Sequence, residues 1–304
     1  VDTTQAGSAS DTFVLPLRAG ATSMTVSWGD GNSDVITAYN QAELTHVYAS
    51  SGTYQISCDG SFTGVAFAGG GDRLKLSSID NWGTNTWTLT YQSFSGCSNM
   101  VGTYTDNPDF SGSTSMLQTF NGCTNFNSPL DIDTSSVTSM YQMFFGCTNF
   151  NSDVTFSSTA SVTDMRDVFR GCSAFNKSIN LDLSSVTSQF SYTFRDCISL
   201  NSPVTFTNTS GVSIFFGVFQ GCTIFDQDLS GFNITSLTNA GNLLFGTSFS
   251  TTNYDLLLVG WQGQTHNNSV ALHAGTAQYS SGAPATARAG LITDLWTITD
   301  GGAV

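Results

Sequence analysis

At 304 residues, 39% of them hydrophobic, the chain is long enough for about two domains with packed interiors. Only 10% of residues are charged, and 8 Lys+Arg against 22 Asp+Glu leave a net charge of -14, which sets the molecule against nucleic acid and anionic membrane as partners. No run of 18 apolar residues occurs, so no membrane insertion is expected, and acids that are nearly all aspartate, with Glu43 the one glutamate, argue against long helices. The chain opens at Val1 with no basic-then-apolar leader, which reads as a leader already removed or an excised piece.

Residues 1–78 read as all-β. Strand-like runs at Thr12–Leu17, Ser23–Trp28, Asp34–Ala38, Leu44–Tyr48, Thr53–Cys58 and Val65–Ala68 alternate with turn signals, among them Gly29-Asp30-Gly31-Asn32 and Ser50-Ser51-Gly52. Short strands at this spacing predict a small β-sandwich. The order Trp28-Gly29-Asp30-Gly31, then His46-Val47-Tyr48, then Gly52-Thr53-Tyr54 resembles the strand and turn motifs of PKD-like immunoglobulin-like domains. That resemblance implies a spacer or presentation domain of extracellular proteins, without catalytic activity. His46 has no cysteine or acid cluster beside it in sequence and is expected to serve a structural hydrogen bond.

After the loop Gly69-Gly70-Gly71-Asp72 and a joint containing Ile79, Trp82 and Trp87, a pattern recurs between Tyr91 and Phe249. Its mark is an aromatic residue three places before a cysteine: Phe94/Cys97, Phe120/Cys123, Phe144/Cys147, Phe169/Cys172, Phe194/Cys197 and Phe219/Cys222, at steps of 26, 24, 25, 25 and 25. A period that regular means that one unit is repeated because no copy can bury its apolar surface alone. Apolar residues seven and nine places after the cysteine (Leu130 and Ile132, Val154 and Phe156, Ile179 and Leu181, Val204 and Phe206) predict a short inward-facing strand. Val137, Met140, Met143 and Phe144, with Val162, Met165, Val168 and Phe169, fit one face of a short helix in each copy. Glycine before the cysteine (Gly96, Gly122, Gly146, Gly171, Gly221, replaced once by Asp196) sits where a left-handed cap is needed. The asparagines four places after the cysteine are expected to bond the backbone of the turns.

The stretches Ser135–Val154 and Ala160–Ile179 resemble the leucine-rich repeats of BspA-like surface proteins and mycoplasma-type surface lipoproteins. The resemblance implies an extracellular protein, in several relatives one linked to adhesion, and similar modules occur in phage attachment proteins. Beyond Phe249 the period is lost, and helix-like runs at Asn253–Trp261 and Ala283–Leu295 predict a closing segment. The expected fold class is therefore mixed. It comprises an all-β PKD-like sandwich over 1–78, a leucine-rich-repeat-type α/β solenoid of about six turns of ~25 residues over 79–249, and a C-terminal cap over 250–304.

Chemistry is sparse. Seven cysteines, six of them in phase with the repeat, are expected to be reduced and buried, since equivalent positions are poorly placed for bridges and no second ligand stands at metal spacing. Asp131/Asp133 and Asp226/Asp228 are carboxylate pairs at strand spacing, read as solvated turn groups ahead of a calcium site. His266 and His273, with Asp255 and Asp294 in reach, are the only candidates for a hydrolase centre, and no GxSxG or HExxH accompanies them. The four Asn-x-Ser/Thr sites are no more than such a composition yields by chance. The function expected is non-enzymatic: a surface-displayed recognition or adhesion module for a protein or glycan, without cofactor or metal. The alternatives are a virion attachment protein and, last, a hydrolase on the terminal segment. Asp131, Asp153, Asn180 and Thr205 are expected to form an outward row on the strands, and Arg166, Arg170 and Arg195 supply rare cations on the opposite side.

Overall fold

Alternation of buried Met24 and Val26 with exposed Ser23, Thr25 and Ser27 is what makes a strand of Ser23–Ser27, and the same two-residue period sets most of the strands that follow. A computed structural model describes residues 1–304, in two units: Val1–Val137 with Met143–Ser157, and Thr138–Gln142 with Ser158–Val304.

In the first unit β1 (Thr12–Val14), β2 (Ser23–Ser27), β3 (Ser33–Ile36), β4 (Thr45–Val47) and β5 (Ser57–Ser61) make two antiparallel sheets, β3-β2-β5 and β1-β4. Their core is Phe13, Met24, Val26, Trp28, Ile36 and Tyr48, each no more than 3% exposed. In place of the single sandwich expected over 1–78, these are small separate sheets. Thr53–Ile56 lies outside the ladder, because Tyr54 stacks on Tyr48 at 3.7 Å and Gln55 closes over Gly29, where any Cβ would strike its carbonyl. Lys75 is fully buried, its Nζ donating to the carbonyls of Thr12 (2.7 Å), Ala9 (2.7 Å) and Ser8 (3.1 Å). Asp72, 3.9 Å away, accepts from the backbone N–H of Ser8 and Val14, so this internal pair fastens residues 8–14 to the rest of the unit. Parallel pairs β6 (Ser78–Ile79) with β7 (Val101–Gly102), and β8 (Leu130–Ile132) with β9 (Val154–Phe156), complete the unit.

The second unit holds β10 (Ile179–Asp182) paired parallel with β11 (Val204–Thr207). A three-stranded parallel sheet orders β12 (Asn239–Ala240), β13 (Ala271–His273) and β14 (Thr297–Thr299). Two helices, α1 (Thr251–Gln262) and α2 (Ala283–Thr293), fall where the apolar runs near 253–261 and 283–295 predict them. Ser250 caps α1 by accepting from Asn253 N–H, and Pro284 stands in the first turn of α2.

No α/β solenoid of the leucine-rich-repeat type forms. Apart from single 3-10 turns at Ala42–Leu44 and Thr209–Gly211, helix is confined to α1 and α2, and sheet within the repeats to two-stranded pairs and to β12. The spans expected to be helical fail for a visible reason: the residue five places before each cysteine is left-handed, with φ of 54° at Gln142, 56° at Asp167 and 61° at Tyr192. A left-handed residue breaks the i to i−4 ladder. The freed N–H groups donate to the next copy instead, as in Phe120 N to Met143 O (2.8 Å), Met165 N to Gln189 O (2.8 Å) and Phe169 N to Thr193 O (2.8 Å).

The repeat is nonetheless a physical unit. Phe94, Phe120 and Phe144 stack in the first part of the chain at 5.5 and 5.4 Å, and Phe169, Phe194 and Phe219 in the second at 5.4 and 5.8 Å. Four thiols donate to the phenylalanine carbonyl of the preceding copy: Cys123 to Phe94 (3.0 Å), Cys147 to Phe120 (2.9 Å), Cys197 to Phe169 (3.0 Å) and Cys222 to Phe194 (2.9 Å). The asparagine ladder forms as well, with Asn176 Oδ1 accepting from the N–H of Asn201 (2.8 Å) and Ser202 (2.7 Å), and Asn201 Oδ1 from Asp226 N–H (2.9 Å). A seventh copy, unmarked by cysteine, follows. Asn242 and Gly246 repeat the left-handed pair, and Thr247 stands in the cysteine position with its hydroxyl donating to Leu244 O at 2.9 Å.

Candidate functional site

The left-handed residue five places before each cysteine turns the chain so that its two following neighbours point inward. Val168 and Phe169, Thr193 and Phe194, and Val218 and Phe219 are all buried, while the positions six and two before the cysteine reach solvent. In the second unit those outward positions carry Tyr141, Arg166 and Phe216 in one column and Arg170 and Arg195 in another.

Arg166 meets Asp164 with both arms of its guanidinium, Nε to Oδ1 at 3.0 Å and Nη2 to Oδ2 at 2.7 Å, and lies over Tyr141 at 4.9 Å. Hydrogen bonding to Asp164 raises the Arg166 pKa, so the cation is permanent. Arg170 pairs with Asp167 at 3.2 Å, Arg195 with Asp196 at 3.2 Å, and both face the ring of Tyr192, at 5.6 and 5.1 Å. Tyr192 meets Phe216 edge-on at 5.3 Å. The guanidinium of Arg166 keeps 41% of its side chain exposed, that of Arg170 30% and that of Arg195 28%, so pairing leaves part of each open to solvent. The result is a strip of two clusters, Tyr141 with Arg166 and Asp164, and Tyr192 with Arg170, Arg195 and Phe216, in which rings stand beside paired charges.

The expected strand residues are all exposed, with one change of register. Asp131 lies opposite Thr155, and Asn180 opposite Thr205. Asp153 precedes β9, and its carbonyl accepts from Leu130 N–H at 3.0 Å. Thr155 was hidden because it matches Asp131 only when positions are counted from the cysteine. The carboxylate pairs serve the turns: Asp133 Oδ1 accepts from Ser135 N–H (2.9 Å) and Ser157 Oγ (2.8 Å), and Asp226 Oδ1 from Ser250 N–H (2.9 Å) and Asn253 Nδ2 (2.9 Å). These bonds hold both carboxyls below the ordinary aspartate range, with backbone donation from Ser135 foremost for Asp133, and donation from Ser250 and Asn253 outweighing desolvation for Asp226.

His266 has an acceptor at each ring nitrogen, Gln264 O at 2.8 Å and Asp294 Oδ2 at 3.1 Å. His273 Nδ1 accepts from Gly275 N–H at 3.1 Å and the ring sits edge-on to Phe245. Asp255 is engaged elsewhere, accepting from Ser280 N–H at 2.9 Å. The first unit also contains a cavity of about 620 Å³ walled by Phe13, Phe62, Trp82, Trp87 and Phe94, with Cys58 on its lining.

Tyr141, Tyr192, Asp164, Asp167 and Asp196 are the strip residues that the sequence reading passed over. The signal was present as spacing: Tyr141 to Arg166, and Arg170 to Arg195, are each one copy of 25 residues apart.

Rings and paired charges recur along a non-helical array of repeats. The family model described as "Mycoplasma protein of unknown function, DUF285" matches residues 88–187 and 156–261, more than half of the chain, and the chain belongs to that family. No curated protein and no solved structure matches it. No helix is long and apolar enough to cross a membrane.

Proposed function

We propose that this protein is a non-enzymatic recognition module displayed at a surface, and that the strip from Tyr141 to Phe216 is the face it turns to its partner. The observation that carries this reading is concentration: three of the six arginines of a chain with net charge -14 stand on that one strip, each against an aspartate and a ring. Fold stability does not require them there, since exposed ion pairs contribute about 0–1 kcal/mol. Arginine and tyrosine are also the residues that dominate binding energy at interfaces. The geometry of His266, whose two nitrogens both face acceptors, turns no lone pair toward a nucleophile and so favours a binding role over hydrolysis.

Display is tested by treating intact producing cells or particles with a membrane-impermeant amine label and recovering the chain. Labelling without lysis is the expected outcome; labelling only after lysis would end the surface reading.

A further inference from the structure

The sheet β3-β2-β5 ends on an unpaired edge, and the backbone bonds fix which groups that edge presents. Trp28 N–H donates to Asn32 O at 3.0 Å, so by antiparallel alternation Met24, Val26 and Trp28 bond toward β3. Ser23, Thr25 and Ser27 then bond toward β5, where they lie opposite Ser61, Asp59 and Ser57. Cys58 and Gly60 are left with N–H and C=O turned away from β2, to a side on which no strand pairs. Phe62 confirms the phase. Its N–H and C=O, on that same side, are taken by the side-chain amide of Asn85 at 3.1 and 3.0 Å, as a neighbouring strand would take them. The edge is thus closed at Phe62 and open at Cys58 and Gly60.

The open stretch stands over an apolar hollow. Cys58 lies opposite Val26 and Gly60 opposite Met24, so both belong to the face that buries Met24 and Val26, yet every residue of β5 is exposed. Both line the cavity of about 620 Å³, together with Phe62, Ile79, Trp82 and Trp87. A strand added to β5 would continue the sheet and send every second side chain into that cavity.

Charge decides what such a strand carries. Asp59, between the two open residues, lies opposite Thr25 on the other face of the sheet. It works against a second copy, since two β5 edges paired about Asp59 would set carboxylate against carboxylate between molecules of net charge -14. Asp80 also lines the cavity, and no lysine or arginine does. The one cation there, the Val1 ammonium, already donates to Tyr54 O at 2.8 Å. Complementarity therefore calls for apolar residues opposite Cys58 and Gly60 and a basic residue between them, opposite Asp59.

We propose that β5 takes an extended peptide of a partner protein as an added antiparallel strand, and that this peptide alternates apolar side chains, lodged in the cavity, with basic ones facing Asp59. The site is built from other residues than the arginine strip and does not depend on it.

The test is fluorescence anisotropy of a labelled peptide with blocked ends, Val-Lys-Val-Lys-Val-Lys-Val, titrated with the whole chain. Saturable binding is expected, with none for the peptide that has glutamate in place of lysine. Antiparallel addition turns the valine N–H groups to β5 and the lysine N–H groups to solvent. N-methylation of the valines should weaken binding about tenfold or more, and N-methylation of the lysines should leave it within about twofold. Asp59→Lys should weaken the basic peptide and admit the acidic one. Glu43→Lys, the same change of charge at an exposed residue off the cavity, should leave both as they were. Bound peptide should also slow the reaction of Cys58 with an aromatic disulfide. No binding, binding indifferent to valine methylation, or an Asp59→Lys protein that treats both peptides as wild type does overturns the proposal.

Discussion

At the scale of single residues, the turn after β2 holds a motif whose physics was readable, and Lys75, far along the chain from it, is a residue whose physics was not. Trp28-Gly29-Asp30-Gly31 announces a turn, and the turn forms: Asp30 accepts from Asn32 N–H at 3.0 Å and from His46 Nε2 at 2.8 Å, with the His46 ring stacked on Trp28 at 4.8 Å. Hydrogen bonding from His46, then from Asn32, holds the Asp30 carboxyl down to about 2 from 3.8. A depressed folded-state pKa stabilises above the unfolded value, so this contribution is complete above pH 3.8 and is lost as pH falls toward about 2. Asp30→Asn should therefore flatten the acid limb of a urea-midpoint profile in that window while leaving the slope near neutrality as it was. An unchanged acid limb would show that the His46 contact does not persist in solution. Lys75 gave no such sign. A lone lysine between Leu74 and Leu76 carries no mark of its partners, and only the fold reveals three carbonyls converging on its ammonium.

At the scale of elements, β2 and the repeat strands β8 to β11 were legible because their period is two, and α1 and α2 because their apolar runs are long and bounded by Ser250 and by Pro284. The runs expected at Val65–Ala68 and Thr53–Cys58 were not: the first forms only the bridge of Val65 to Leu17, and the second enters a strand only at Ser57. The helices expected inside the repeats were not, because Val137, Met140, Met143 and Phe144 are spaced as well for a left-handed kink between two turns as for a helix. The deciding residue is Gln in three copies and Tyr in a fourth, neither of which advertises positive φ, and only Asp167, Gly217 and Asn242 are of types that favour it. That exception supplies a test. Gly217 has φ +60°, and a Cβ there would lie 2.6 Å from the Tyr192 ring. Gly217→Ala combines a left-handed alanine with overpacking and should lower stability by about 1–3 kcal/mol in chemical denaturation. A neutral result would mean that the kink is not fixed as described.

At the scale of the whole molecule, the cysteine reading rests on seven free thiols, of which six are buried and Cys58 alone is exposed. Burial pushes the Cys97 and Cys123 thiols well above their ordinary range, and desolvation beside the cavity pushes Cys58 up to about 11. An aromatic-disulfide titration of the native protein should thus find one slow thiol, its rate climbing as pH rises toward about 11, and seven after denaturation. Two or more native reactive thiols would contradict the packing. The asymmetry between what was read and what was missed has one cause. Periodicity records which side chains face inward, but not whether the backbone between them bonds within its own copy or to the next.

The thiol bonds to the preceding phenylalanine carbonyl carry a consequence for how such chains change over generations. Gain or loss of a single residue inside a copy shifts the sulfur off its acceptor and throws the ring column out of step. Recombination that adds or excises a whole copy restores every bond on both flanks. Descendants of this gene should therefore differ by whole multiples of the repeat, lengthening or shortening the presented strip in quanta while the remainder folds as before.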